Sequence, residues 1–102
     1  MQTVTIDQLS DVLDEGGVVI DVREREEYAT AHVPGARSIP MGQVASRKTE
    51  IDRERPVYLI CDSGNRSSAM VDLLAAEGYD AHNVRGGTRA WIESGRPVEG
   101  GA

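Results

Sequence analysis

The chain is predicted to fold as an α/β domain on a mainly parallel sheet with helices on both faces. Short apolar runs, Val18-Val19-Ile20 and Val57-Tyr58-Leu59-Ile60, read as buried strands. Segments with helical spacing alternate with them, and Gly and Pro pairs punctuate the boundaries. With 102 residues there is room for one domain with one core, burying roughly two-thirds of the unfolded surface.

Taken in order, Val4 lies in a short extended start. Thr5 and Gln8 have the spacing of a capping box for a helix carrying Leu9, Val12 and Leu13 on one face. Gly16-Gly17 ends it, and the strand Val18 to Ile20 follows, terminating at Asp21. The charged stretch REREEYATA is predicted helical. Pro34-Gly35 then marks a turn, Ser38-Ile39 is extended, and Pro40 stops it. A short helix is expected from Met41 to about Arg47, ahead of the polar connector KTEIDRER. Pro56 opens the strand Val57 to Ile60. Ser67 or Ser68 is expected to begin a helix with Ala69/Leu73 and Met70/Leu74 paired at i, i+4, and Gly78 stands just past its end. Tyr79 to Val84 reads as a strand, Gly86-Gly87 as a turn and Thr88 to Glu93 as a last short helix, with residues 96–102 a flexible tail.

Composition excludes several functions. A net charge of −6 argues against a nucleic-acid groove or an anionic membrane surface, both of which need a basic face. No apolar run has the length of a membrane span, and MQTVTIDQLS lacks the basic and apolar regions of a signal peptide, so a cytoplasmic setting is expected. The one cysteine, Cys61, rules out an internal disulfide, a CxxC redox pair or a zinc site built on several cysteines. His32 and His82 offer no metal-ligand spacing with it, and no cofactor is expected.

In parallel α/β sheets ligands sit at the carboxyl ends of strands, and Cys61 stands at one. The loop Cys61-Asp62-Ser63-Gly64-Asn65-Arg66 leads from that strand to a helix, and its small members let successive backbone N–H groups turn toward one point. This is an anion nest at a helix N-terminus. The same field stabilises a thiolate, which places Cys61 below the free-thiol value of about 8.5. Arg66 adds a positive charge at the rim. A lone cysteine is more commonly packed as a small hydrophobe; the glycine, arginine and helix start that follow favour a nucleophile here.

Three segments together resemble a single-domain rhodanese, a sulfurtransferase of the rhodanese homology fold, over about Val4 to Trp91. They are Asp21-Val22-Arg23 with Glu27-Tyr28 and His32-Val33-Pro34-Gly35-Ala36, ending at Ser38-Ile39-Pro40; Cys61 to Ser67; and Arg85-Gly86-Gly87 with Trp91. The resemblance implies a rhodanese-like fold with a five-stranded sheet. It implies that Cys61 takes a sulfane sulfur from thiosulfate or a persulfide donor, becomes a persulfide, and passes the sulfur to cyanide, a thiol or a protein cysteine. Asp62, Ser63, Gly64, Asn65, Arg66 and Ser67 would then form the anion cradle, with Arg66 orienting the donor and Asp21, Arg23 and Arg85 in support.

A cysteine-dependent phosphatase or arsenate reductase is the alternative reaction. Such phosphatases place five residues between Cys and Arg, whereas four intervene here, and Ile60 rather than a histidine precedes the cysteine. A non-catalytic rhodanese-like interaction module is the third reading, and such modules usually lack the cysteine. Asp62 departs from the basic loops of many thiosulfate-using members and is expected to offset Arg66, which favours a persulfide donor over a dianion.

The remaining residues carry two readings each. Asp21 either holds Arg66 or Arg23 or caps the following helix. Arg23 either widens the positive field or belongs to a solvated helical face. Arg85 either lines the rim or lies on the surface. His32 is expected to tie the Pro34-Gly35 turn, and Trp91 to pack in the core.

Overall fold

The computed structural model describes residues 1–101. Five strands, β1 (Thr3–Val4), β2 (Val18–Asp21), β3 (Arg37–Ser38), β4 (Val57–Ile60) and β5 (Ala81–Val84), form one sheet in the order β1-β5-β4-β2-β3. Every neighbouring pair is parallel. Among the described residues four α-helices lie between the strands, α1 (Ile6–Asp14), α2 (Arg25–Thr30), α3 (Met41–Arg47) and α4 (Asn65–Ala76), and α5 (Gly87–Glu93) follows the last strand.

Alternation along the central strands divides the core between the two faces of the sheet. Ile20 and Leu59 pack with Val44 of α3 and with Val71 and Leu74 of α4. Val19 and Ile60 pack on the other face, with Leu9 of α1 and Trp91 of α5. In register, Val18 stands beside Val57 and Asp21 beside Ile60. The crossover from β2 to β3 runs to one side and that from β4 to β5 to the other. The carboxyl ends of β2 and β4 therefore flank the point where the topology reverses, which is where ligands bind in open α/β sheets.

Local chemistry explains most of the boundaries. The Thr5–Gln8 capping box is formed in both directions. Met41–Arg47 is helical as expected. Two helices differ from expectation. α2 starts at Arg25 because Glu27 reaches back to accept from the Glu24 amide at 3.1 Å, while Arg23 is drawn inward by Asp21. α4 starts at Asn65 rather than Ser67 or Ser68, because Gly64 adopts φ +108 and turns the chain directly into the helix. β5 begins at Ala81 instead of Tyr79; the Tyr79 hydroxyl donates to the Lys48 carbonyl at 2.9 Å.

The segment read as a tail makes specific contacts. Glu99 and His32 exchange two backbone hydrogen bonds of 2.9 Å, and the Gly101 amide donates to the Ala29 carbonyl at 2.9 Å. The Trp91 indole donates to the Pro97 carbonyl at 2.8 Å. Ala102, the last residue of that segment, lies outside the described residues. Among the described residues no helix is long and apolar enough to cross a membrane.

Candidate active site

Cys61 follows β4 directly and is 1% exposed. Its sulfur accepts from the Gly64 amide at 3.0 Å, and the Ser67 hydroxyl oxygen lies 3.2 Å away. Burial pushes the thiol up, but the Ser67 hydroxyl and the backbone amides of Ser67, Gly64 and Ser63 outweigh it. The net effect holds Cys61 below the ordinary thiol range.

The amides face the sulfur because the loop carbonyls are occupied on the other side. The Cys61 carbonyl accepts from the Thr88 amide at 2.9 Å and the Asp62 carbonyl from the Arg89 amide at 3.0 Å. Both donors belong to the first turn of α5, so the loop is gripped between the N-termini of α4 and α5. This approach needs a glycine at position 87. With φ +60, a Cβ there would stand 2.5 Å from the Cys61 and Asp62 carbonyl oxygens. The turn read from Gly86-Gly87 therefore also shapes the cysteine loop.

The charged residues are distributed differently from expectation. Arg66 forms a bidentate pair with Glu27 of α2, at 2.7 and 2.9 Å. The pairing holds the Glu27 carboxyl down at about 2 and raises Arg66. Asp62, expected to offset Arg66, pairs instead with Arg89 of α5 at 2.5 Å. Asp21 holds Arg23 and not Arg66: its carboxylate accepts from the Arg23 amide, Nε and Nη2 at 2.8 to 3.2 Å, and it caps no helix. Arg23 is 5% exposed and also donates to the Ala31 carbonyl at 2.7 Å. It thus belongs to no solvated helical face; it ties the end of β2 to the end of α2.

Ser63, Asn65 and Arg85 are exposed. The Arg85 side chain has no ion-pair partner among the described residues, and its amide donates to the Val4 carbonyl at 2.9 Å. His32 stacks on Tyr28 with its Nδ1 2.8 Å from the Tyr28 carbonyl oxygen, so it links to α2 and the Glu99 segment. Trp91 is in the core as expected.

Sequence reasoning missed Glu27 as the partner of Arg66, although it stands within the segment that carried the resemblance. It also missed Asn83. This side chain, 8% exposed on β5, accepts from the Ser67 hydroxyl at 2.6 Å and donates to the Gly64 carbonyl at 3.2 Å. A polar residue two positions from Ala81, on the face that α4 covers, was the available signal.

The site is a buried cysteine in an amide-lined loop at the carboxyl end of a central parallel strand, and the fold is that of an all-parallel α/β protein. The profile of the family described as Rhodanese-like domain matches residues 5–94, and the chain belongs to that family. It is 40% identical over 79 residues to "Putative sulfur carrier protein YrkF" of Bacillus subtilis, covering 76% of this chain and 43% of that protein. The chain therefore spans less than half the length of that relative. "Putative sulfurtransferase YtwF" of the same organism is 37% identical over 84 residues, covering 82% of each. "Thiosulfate sulfurtransferase GlpE" of Pseudomonas putida is 33% identical over 78 residues, covering 76% of this chain and 71% of that one. Among solved structures, a rhodanese-like domain protein from Staphylococcus aureus superposes with TM-score 0.88 at 34% identity, covering 100% of both chains. A rhodanese-related protein from Thermoplasma volcanium gives TM-score 0.90 at 29% identity, over 97% of this chain and 98% of that one.

Proposed function

We propose that the protein is a sulfurtransferase that carries a sulfane sulfur on Cys61 as a persulfide. The observation that carries this reading is the sulfur's setting: accepting from the Gly64 amide at 3.0 Å, beside the Ser67 hydroxyl, and held below the ordinary thiol range. A thiolate attacks without a general base. With thiosulfate as donor, the Cys61 thiolate attacks the outer sulfur and a new S–S bond forms. The donor's own S–S bond breaks and its electron pair leaves with sulfite. The terminal sulfur of the persulfide carries the negative charge, for which the loop amides and the α4 N-terminus provide donors. An acceptor nucleophile then attacks that sulfur and the Cys61 thiolate is released. Cyanide, a small thiol or a protein cysteine can serve, and kinetics are ping-pong.

Both loop charges are paired outside the loop, Arg66 with Glu27 and Asp62 with Arg89. This balance supports a persulfide donor at least as well as dianionic thiosulfate, although one relative bears the name of a thiosulfate sulfurtransferase. Four residues between Cys61 and Arg66 favour a cradle for a sulfur atom over one for phosphate or arsenate. A net charge of −6 disfavours nucleic acid and anionic membranes as partners, and a chain with one unpaired cysteine suits a reducing, cytoplasmic setting.

Intact-mass spectrometry after incubation with thiosulfate tests the proposal. The expected result is a gain of about 32 daltons, one sulfur, absent in Cys61→Ser and removed by cyanide or dithiothreitol. No gain from thiosulfate or from a small-molecule persulfide overturns it.

A further inference from the structure

We infer that Asn83 is a positioning residue for Cys61: its side-chain carbonyl competes with the sulfur for the one hydroxyl proton of Ser67, so the hydroxyl serves the sulfur only when the sulfur is anionic. The chemical consequence for sulfur transfer rests on the reading of Cys61 as the nucleophile.

The Ser67 oxygen lies 2.6 Å from Asn83 Oδ1 and 3.2 Å from Cys61 Sγ. A hydroxyl has one hydrogen to donate and two lone pairs to accept with, so it cannot donate to both. The amide orientation is set by Nδ2, which lies 3.2 Å from the Gly64 carbonyl oxygen and leaves Oδ1 facing Ser67. Ser67 is 0% exposed, so bulk solvent does not reach its hydroxyl.

Three states of the sulfur then call for two positions of the hydroxyl. As a thiol, Cys61 donates its S–H to Ser67 Oγ while Ser67 donates to Asn83. When that proton leaves to solvent, the hydroxyl turns to the thiolate, because a hydrogen bond to a charged acceptor is the stronger. Once the persulfide has formed, Sγ is bonded to two atoms and the charge lies on the terminal sulfur, so the hydroxyl returns to Asn83. Donation from Ser67 is thereby confined to the attacking and leaving form of the cysteine.

The second contact of Asn83 is duplicated. The Gly64 carbonyl also accepts from the Ser68 amide, at 3.2 Å. Loss of Nδ2 therefore leaves the Gly64 carbonyl held, and removal of Oδ1 is the change the sulfur feels. The charged groups around the loop are Arg66 of α4 with Glu27 of α2, Asp62 with Arg89 of α5, and Asp21 with Arg23 after β2. On β5 itself the neighbouring His82 lies beside Asp80 at 2.9 Å and stacks on Tyr58, and Arg85 is exposed. None of these pairs includes Asn83.

The rate of iodoacetamide alkylation against pH reads the acidity of Cys61 directly and does not require sulfur transfer. Asn83→Leu is expected to lower the inflection by roughly half a unit to one unit, the worth of the neutral Ser67–Asn83 hydrogen bond that wild type gives up on ionisation. Asn83→Ala, with the smaller side chain, is expected to move it the same way. Asn83→Asp, which places a carboxylate beside the thiolate, should raise it by about one unit or more. In a Ser67→Ala background the effect of Asn83→Leu is expected to vanish. An upward or absent shift in both Asn83→Leu and Asn83→Ala overturns the inference, as does a shift that persists without the Ser67 hydroxyl. Failure of the mass-spectrometric test with these shifts intact would remove the sulfurtransferase reading and leave the competition standing.

Discussion

The Arg66 guanidinium and the Glu27 carboxylate meet through two parallel hydrogen bonds of 2.7 and 2.9 Å, joining the first turn of α4 to the first turn of α2. A bidentate pair of this kind fixes the direction of the arginine as well as its charge. Any anion that approaches Arg66 must share it with Glu27 or displace it.

Glu27→Gln is therefore expected to lower the apparent KM for thiosulfate several-fold at low ionic strength, with the gain shrinking as salt is added. Steady-state kinetics at two salt concentrations check this. An unchanged or raised KM would mean that Arg66 does not meet the donor.

The same pair makes stability depend on pH. The Glu27 carboxyl is held at about 2 in the fold against an ordinary value of 4.5, so the unfolded chain binds the proton more readily. Its contribution is complete above about pH 4.5 and fades as pH falls toward 2. Both side chains are about one-third exposed, so screening limits the effect to roughly 1 kcal/mol. Denaturant unfolding of wild type and Glu27→Gln should differ near neutral pH and converge toward pH 2.

Cys61→Ser should abolish transfer while the domain remains folded. A serine hydroxyl does not ionise near neutral pH, whereas the carbonyl contacts to Thr88 and Arg89 that shape the loop involve only backbone. Circular dichroism together with a thiosulfate–cyanide assay checks both halves. Activity in a folded Cys61→Ser protein would remove the cysteine from the mechanism.

Asp62→Ser is expected to lower the KM for thiosulfate and leave transfer from a neutral persulfide nearly unchanged, since only the dianion feels the lost charge. Its removal also frees Arg89 at the loop. A parallel change for both donors would point to altered loop shape and not to charge.

Gly87→Ala should destabilise the fold by more than about 2 kcal/mol, because it combines a left-handed backbone position with a methyl group against two carbonyls. Gly16→Ala is the control: it has φ +77 but no atom within 4 Å of the added methyl. A smaller shift of the denaturation midpoint is expected there. Equal effects would show that backbone strain alone accounts for the loss at Gly87.

Local pattern determined much of this protein. The runs Val18 to Ile20 and Val57 to Ile60, the Thr5–Gln8 box and the proline-led helix from Met41 are legible because each is decided by residues within a few positions. The cysteine loop was legible for the same reason, since strand, small residues and helix start are contiguous. Which charges meet was decided only by the tertiary structure. Arg66 takes Glu27 39 positions away and Asp62 takes Arg89 27 positions away. Such pairs depend on the strand order β1-β5-β4-β2-β3, which sets α2, α4 and α5 around one loop. The roles of Asn83 and Gly87 emerge at the same level. A hydrogen bond or a close approach between distant segments leaves no local periodicity for sequence reading to detect.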